Sequence, residues 1–453
     1  MESYKGLNIL IVGMGKSGIS AAKLLLGLGA NVYISDSKSK KQLSDQIGQL
    51  KGMDIELLLG CDIEDRLQNF DLMVLSPGVP LYIPLVKAAV QKGIEIIGEI
   101  ELAYRMCRAP IIAITGTNGK TTTTMLVGEI LKAFGLTTHV VGNIGLPFID
   151  RVMDIDEGDI VVLEASSYQL ETINMFKPHI ASILNISEDH LDRHKTMKNY
   201  IDIKGRIFEN QTNRDYMILN ADDEGLHQMQ RIGNAKLFEF SREKRLHKGA
   251  WIENGKIIID IGKGREEILD SRELFILGSH NLENALAASL MTAIMGVDSD
   301  TIAKALKEFR GVEHRIEYVD TIEDIVFYND SKGTNPDASI KAIEAMDGPT
   351  IIIAGGLDEG AHFDELIDSF KDKILHMVVL GDTAKILMKI AEDKGFFNVH
   401  KVDNMQGAVK KAFELSKRGY RILLSPACAS FDMYKSFEQR GDDFKRAVRS
   451  LRG

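Results

Sequence analysis

Short apolar runs alternate with longer amphipathic stretches along almost the whole chain. Leu7–Val12, Val32–Ser35, Leu72–Leu75 and Glu95–Ile97 read as one series of buried strands. Ile111–Thr115, Ile160–Glu164, Ile180–Asn185 and Met217–Asn220 form a second series, and Ile325–Asn329, Thr350–Ala354, Met377–Leu380 and Arg421–Ser425 a third. Strands apolar on both faces, with helical patterns between them, belong to parallel sheets covered by helices. Residues 238–277 depart from this pattern. Trp251, an Asn-Gly pair at Asn254–Gly255 and alternation through Lys256–Ile261 predict an antiparallel hairpin inserted in the middle region. The strand series change near Glu99–Pro110 and again beyond a helix stop near Gly311. The expected architecture is α/β with three domains, at 1–98, 99–311 and 312–453, each a mostly parallel sheet with flanking helices.

Length agrees, since 453 residues at roughly 100–200 per domain suggest about three. Hydrophobic residues at 44% and charged residues at 26% exclude collagen-like, disordered and disulfide-scaffold chains. Lys and Arg number 55 against 65 Asp and Glu, a net charge of −10, which argues against a broad nucleic-acid face. A local basic pocket for a small phosphate ligand stays allowed. Cys61, Cys107 and Cys428 form no CxxC pair, as expected of a reducing compartment. No run approaches the ~18–20 apolar residues of a membrane span, and the first residues lack the signal-peptide pattern. The expected setting is cytoplasmic, with neither membrane nor nucleic acid as partner.

Six strings carry chemistry. Gly13-Met14-Gly15-Lys16-Ser17-Gly18 follows the first strand with GxGxxG spacing, and Asp36 ends the second strand where a ribose-reading acid would stand. A dinucleotide, another nucleotide diphosphate or a ligand-free glycine turn all fit. Gly116-Thr117-Asn118-Gly119-Lys120-Thr121-Thr122 joins an apolar strand to a helix. Its amides would cradle phosphates, Lys120 would neutralise them and Thr121 would hold Mg2+. Ile114 stands where the usual P-loop has its first glycine, so the longer pattern fails. An NAD-dependent dehydrogenase built on Gly13–Gly18 would leave this second string unexplained.

Glu164 and His190 both lie at or beyond strand C-termini, the edge where open α/β sheets bind ligands. With Thr121 and phosphate oxygens they would complete one or two Mg2+ sites; a cap and a hydrogen-bonded core histidine are the plain alternatives. Asn281 and Asn284 share one face of a helix opening and offer amides to an adenine edge, or simply cap the helix. Asn329-Asp330-Ser331-Lys332-Gly333-Thr334 and Ser425 through Gly441 each join a strand to a helix and suit carboxylate binding, or local caps.

Taken together, GTNGKTT, the glutamate of LEASSYQLE, the histidine of NISEDHLDRH, the asparagines of GSHNLENALAA, the pair His314-Arg315, NDSKGTN and SPACASFDMYKSFEQRGDDF resemble the Mur ligase family of ATP-dependent amide-bond ligases. The resemblance covers nearly the whole chain. It implies a Rossmann-like N-terminal domain, a P-loop ATPase-like central domain and a Rossmann-like C-terminal domain. It also implies an ATP-dependent ligase that adds D-glutamate to UDP-N-acetylmuramoyl-L-alanine through an acyl phosphate. Ser331-Lys332 separates this chain from relatives that add a diamino acid or a dipeptide. Another Mur-type or folylpolyglutamate-type amino-acid ligase is the alternative.

By the same resemblance, Lys16, Ser17, Asp36, Ser37, Ser76, Asn143 and Gln169 would face the UDP substrate, not NAD. Gly116, Thr117, Asn118, Gly119, Lys120, Thr121 and Thr122 would bind ATP, with Asn281 and Asn284 near adenine, Arg315 on the γ-phosphate and Asp330 on ribose. Thr121, Glu164, His190 and a carbamate on Lys204 would hold Mg2+, two ions in all. Lys120, Glu164, His190 and Lys204 form the implied catalytic set. Lys332, Thr334, Ser430 and the backbone N–H of Phe437 would hold D-glutamate. The implied protein is a monomer that closes its domains. Glu359 is a departure, because relatives generally carry a basic residue there.

Overall fold

The computed structural model describes residues 3–61, 63–276 and 278–452. The chain forms two compact units, residues 1–273 with 283–307, and residues 274–282 with 308–453.

The first unit holds two sheets. One comprises β1 (Asn8–Val12), β2 (Asn31–Asp36), β3 (Ile55–Leu59), β4 (Leu72–Leu75) and β5 (Glu95–Gly98), all parallel, in the order β3-β2-β1-β4-β5. Strand order reverses at β1, so the loops after β1 and β4 emerge side by side, the usual ligand crevice of an open sheet. The other comprises β6 (Ile111–Thr115), β7 (Thr138–Gly142), β8 (Ile160–Glu164), β9 (Ile180–Ile183), β10 (Tyr216–Asn220), β11 (Lys236–Ser241), β12 (Gly249–Glu253), β13 (Lys256–Asp260) and β14 (Glu266–Asp270). Its order is β14-β13-β12-β11-β10-β9-β6-β8-β7, antiparallel only from β12 to β14. Here β6 lies between β8 and β9, which puts three loop exits together. One apolar cluster joins Ile9, Val32 and Ile34 of the first sheet to Ala113, Leu163 and Ile183 of the second.

The second unit holds β15 (Glu317–Ile322), β16 (Ile325–Asn329), β17 (Thr350–Ala354), β18 (Ile374–Val379), β19 (Val399–Lys401) and β20 (Arg421–Leu424), in the order β15-β16-β20-β17-β18-β19. Only β15 and β16 pair antiparallel. Successive residues of β17 serve opposite faces: Ile352 and Ala354 enter one core, Ile351 and Ile353 the other. The strands nearest the middle are therefore apolar throughout, the signal the sequence carries most clearly.

The expectation of three mostly parallel α/β sheets agrees with this architecture. The antiparallel hairpin is also present, formed by β12 and β13, although it is not a separate insertion. The Asn254–Gly255 turn is present, with φ 52° and 79°, but β11 pairs in parallel with β10, so the segment prolongs the central sheet. Strand β9 also ends two residues before Asn185, because the Asn185 carbonyl accepts the Thr117 N–H (3.0 Å) and leaves the ladder. Strands β3, β7, β14, β15 and β19 escaped the sequence reading. All are half-exposed, and the polar residues among them mask the period. Among the described residues no helix is long and apolar enough to cross a membrane.

Candidate functional site

Strand β6 feeds the loop Gly116–Gly119, and the helix Lys120–Ala133 starts immediately after it. Gly116 (φ 150°) and Gly119 (φ 81°) occupy backbone regions that side chains avoid. A Cβ on Gly119 would lie 2.3 Å from Asn284 Oδ1. The first-turn amides of a 14-residue helix therefore open onto a glycine-lined loop, an arrangement that binds anions. Lys120 Nζ donates to the carbonyls of Gly116 and Thr117, both at 2.9 Å. Asn185 clamps the loop from β9. Its Oδ1 accepts from Asn118 N (2.8 Å) and its Nδ2 donates to Asn118 O (3.1 Å). Thr117 Oγ1 meets the Tyr200 hydroxyl at 3.2 Å. Thr121 and Thr122 are buried in the first helical turn, and Thr123 Oγ1 donates to Asn284 Oδ1 at 3.2 Å.

Glu164, at the end of β8, is next to this loop because β8 pairs with β6. Its Oε1 accepts from Asn143 Nδ2 at 3.0 Å, while its Oε2 is buried without a hydrogen-bond partner. A buried, unpartnered carboxylate oxygen is costly unless a cation meets it. Lys204, on the helix Met197–Gly205, is 1% exposed. Its Nζ donates to Gly116 O (2.8 Å) and Thr115 Oγ1 (3.3 Å) and lies 4.8 Å from the centroid of the Tyr200 ring. Burial, and then the nearby charge of Lys120, hold its pKa well below that of an ordinary lysine. His190 has φ 54° and precedes the one-turn helix Leu191–His194. Its Nδ1 lies 3.1 Å from the Tyr168 hydroxyl and its Nε2 3.4 Å from Asp189 Oδ2. A hydroxyl, a carboxylate oxygen and an imidazole, as on Thr121, Glu164 and His190, are donors of the kind that hard divalent cations such as Mg2+ accept.

The loops of the first sheet converge on the same region. Ser76 Oγ donates to Gly13 O (2.8 Å), and a Cβ on Gly18 would stand 2.1 Å from that carbonyl. The Asp36 carboxylate accepts from Met14 N (2.8 Å) and Lys38 N (2.9 Å), so it ties the two loops together. Lys16 Nζ reaches across to Gly145 O at 2.9 Å. Ser17 is half-buried and Ser37 exposed beside them. Asn143, read from the sequence as a UDP-substrate contact, thus touches the Glu164 read as a metal ligand. Gln169 is tied into its own turn. It is buried and its Oε1 accepts from Ser166 N (3.0 Å) in a capping box, so its carbonyl is engaged inside the protein.

The remaining candidates belong to the second unit, where β20 between β16 and β17 juxtaposes their loops. Asp330 Oδ2 accepts from Ser425 Oγ (2.7 Å) and Oδ1 from Ile316 N (3.3 Å). Burial raises its carboxyl to about 7. The buried Nε of Arg315 has no hydrogen-bond partner, and its charge acts on Asp330. The Lys332 ammonium lies 5.7 Å from the centroid of the Phe437 ring, and its backbone N donates to His314 O (3.0 Å). Thr334 N donates to Lys332 O at 2.9 Å. Ser430 is buried. Phe437 opens the helix Phe437–Arg449, capped by Ser436, and its carbonyl accepts from Ser331 Oγ at 2.7 Å. Asn281 and Asn284 lie one turn apart on the helix Ser279–Ile294, and Asn284 packs on Gly119.

Arg440 was missed by the sequence reading. Its guanidinium is buried and donates to Ser331 Oγ (3.0 Å), Ser331 O (2.8 Å) and Cys428 O (3.0 Å), joining the loop after β16 to the loop after β20. A signal existed: Arg440, Phe444, Ala447 and Val448 share the buried face of one helix.

Residues 7–98 match the profile of the Mur ligase MurD-like N-terminal domain, 114–292 the Mur ligase middle domain and 314–428 the Mur ligase glutamate ligase domain. The chain is 49% identical over 450 residues to a UDP-N-acetylmuramoylalanine–D-glutamate ligase from Thermoanaerobacter pseudethanolicus, covering 99% of each chain. It is 50% identical over 452 residues to the protein of that name from Alkaliphilus oremlandii, covering 99% of this chain and 100% of that one. The crystal structure of a MurF ligase from Thermotoga maritima in complex with ADP has the same fold, with a TM-score of 0.59 at 17% identity over 99% of this chain and 96% of that one. Matches of this extent, spread over all three sheets, leave one conclusion: the chain belongs to the Mur ligase family.

Proposed function

We propose that this protein is an ATP-dependent ligase that adds D-glutamate to UDP-N-acetylmuramoyl-L-alanine. The observation that carries the reading is the glycine cradle ending at Lys120, set beside a buried carboxylate oxygen with no partner. Relatives named for that activity align over the whole chain. On this reading residues 1–98 take the UDP moiety, 99–311 take ATP and 312–453 take the amino acid.

A carboxylate resists attack by an amine because its oxygen is a prohibitive leaving group. In the proposed reaction the terminal alanyl carboxylate attacks the γ-phosphorus of ATP and ADP departs. The D-glutamate amine then attacks the acyl-phosphate carbonyl, loses a proton and expels phosphate. The protein's part is positioning and charge compensation. Lys120 and the loop amides hold the β- and γ-phosphates, and Arg315 meets the γ-phosphate. Asp330 accepts from the ribose and Asn281 serves the adenine side, while Asn284 also holds the loop. Lys16, Ser17, Asp36, Ser37, Ser76, Asn143 and Gln169 bind or support the UDP substrate. Lys332, Thr334, Ser430 and the Phe437 amide take the D-glutamate carboxylates. Thr121, Glu164 and His190 would hold Mg2+, at one or two sites. When bound, the ion screens the repulsion between carboxylate and triphosphate. Lys204 fits a carbamate: its amine is buried and held toward the uncharged form that adds CO2, and the product would supply oxygen ligands.

The protein is read as a cytoplasmic monomer without nucleic-acid or membrane partners; three unpaired cysteines support a reducing compartment. Phosphate release from ATP tests the function. It should require both D-glutamate and UDP-N-acetylmuramoyl-L-alanine. Release indifferent to either one, or dependent on a different amino acid, would refute it.

A further inference from the structure

Tyr168 has no part in the reaction proposed above, yet its hydroxyl lies 3.1 Å from His190 Nδ1. The turn that carries it, Ser167–Leu170, is locked by the Ser166–Gln169 capping box. Its ring centroid lies 5.0 Å from that of His190 and 5.6 Å from that of His194. The Arg193 guanidinium lies 5.2 Å from the Tyr168 ring centroid. Arg193 is itself fixed, because it donates through two nitrogens to the Glu171 carboxylate and to Val79 O at 2.9 Å. Val79 closes a turn on Ser76, its N–H donating to Ser76 O at 2.9 Å. Arg193, anchored to the loop after β4, thus flanks the Tyr168 ring, and Tyr168 meets His190 through its hydroxyl.

A neutral imidazole carries one N–H, and the partner of one nitrogen decides what the other can do. With the proton on Nε2, facing Asp189 Oδ2 at 3.4 Å, Nδ1 needs a donor. With Nε2 free to ligate a cation, Nδ1 holds the proton and needs an acceptor. A tyrosine hydroxyl serves both states by rotating; a phenylalanine ring serves neither.

We propose that Tyr168 is a positioning residue for His190, accepting its Nδ1–H and fixing the ring so that Nε2 is presented to a divalent cation. The proposal rests on reading His190 as a metal ligand. Oxygen partners of ligating histidines typically contribute 10–100-fold to metal affinity.

The test is Mn2+ binding to the full chain with ADP and no other substrate, so nothing turns over, with free Mn2+ read by electron paramagnetic resonance. Tyr168→Phe keeps the ring and the Arg193 contact and removes only the hydroxyl. It should raise the Mn2+ Kd about tenfold with the melting temperature little changed. His190→Ala should raise the Kd at least as much, and the double variant should bind no worse than His190→Ala. An unchanged Kd in Tyr168→Phe overturns the proposal, as does an equal further loss in the His190→Ala background, which would mark a role independent of the imidazole. If His190→Ala itself binds Mn2+ like the native protein, the metal-ligand reading falls and the proposal with it.

Discussion

Replacing Glu99 with Gln should stabilise the first unit at alkaline pH and leave the acid side almost unchanged. Glu99 follows β5 and opens the short helix Glu99–Tyr104, with only 2% of its surface exposed. Its Oε1 accepts from Ile149 N at 2.7 Å, and its Oε2 has no hydrogen-bond partner. Glu101, equally deep, instead accepts the backbone N–H groups of Asn174, Met175 and Phe176 and the Nε–H of Arg105. Burial, reinforced by the charge of Asp150, raises the Glu99 carboxyl from 4.5 to about 7. The folded chain therefore keeps a proton that the unfolded chain releases earlier. The stability tied to the neutral form is complete below pH 4.5, declines above it and is lost as pH passes 7. At ~1.4 kcal/mol per pH unit, the interval from 4.5 to about 7 amounts to at most ~3 kcal/mol. Glutamine retains a carbonyl for Ile149 N–H and has no charge to bury. Any cost of its new amide is the same at every pH and drops out of the comparison. Urea unfolding from pH 5 to 8.5 measures the effect, followed by the fluorescence of the single tryptophan, Trp251, which lies in β12 of the same unit. The advantage of the variant should grow steadily up to about pH 7 and then level off. A difference independent of pH would show that Glu99 does not carry the buried charge assigned to it.

Other substitutions probe the site directly. Asn284→Ala removes the acceptor of Thr123 Oγ1 and the side chain packed on Gly119; it should raise the KM for ATP several-fold and cost ~1–2 kcal/mol in a melt. Lys204→Ala should abolish most ligase activity, with partial recovery on adding formate or acetate; full activity without additive would end the carbamate reading. Glu359 is exposed in the loop after β17, so Glu359→Lys should lower the KM for D-glutamate if its charge opposes an acidic substrate, and an unchanged KM would count against that.

The candidate strings stood out in the sequence because phosphate and carboxylate binding draw on local backbone geometry. A strand, two glycines and a helix start within a few residues suffice to mark Gly116–Lys120 and Gly13–Gly18, while Asn329–Thr334, with one glycine, is marked by its place between a strand and a helix. Glu164 stood out as a candidate because it ends an apolar strand at the edge where open sheets bind ligands. The hairpin of β12 and β13 was legible because its Asn254–Gly255 turn is local, whereas its continuity with the central sheet through the pairing of β11 with β10 is not. The orientation of Gln169 was not legible for a similar reason: its carbonyl is engaged by Ser166, and nothing in the string shows which way it turns.

By itself, then, the amino-acid order determined the alternation of strands and helices, the acidic balance and the glycine and lysine strings, since these depend on neighbours within a turn or two. Tertiary structure alone decided which distant groups meet. It set Lys204 on Gly116 across 88 residues and Arg440 on Ser331 across 109. It buried Glu99 and Asp330 deeply enough to raise both carboxyls to about 7, so that they hold their protons longer. Strand order and desolvation arise from packing summed over a whole unit, and no short segment of chain encodes that sum.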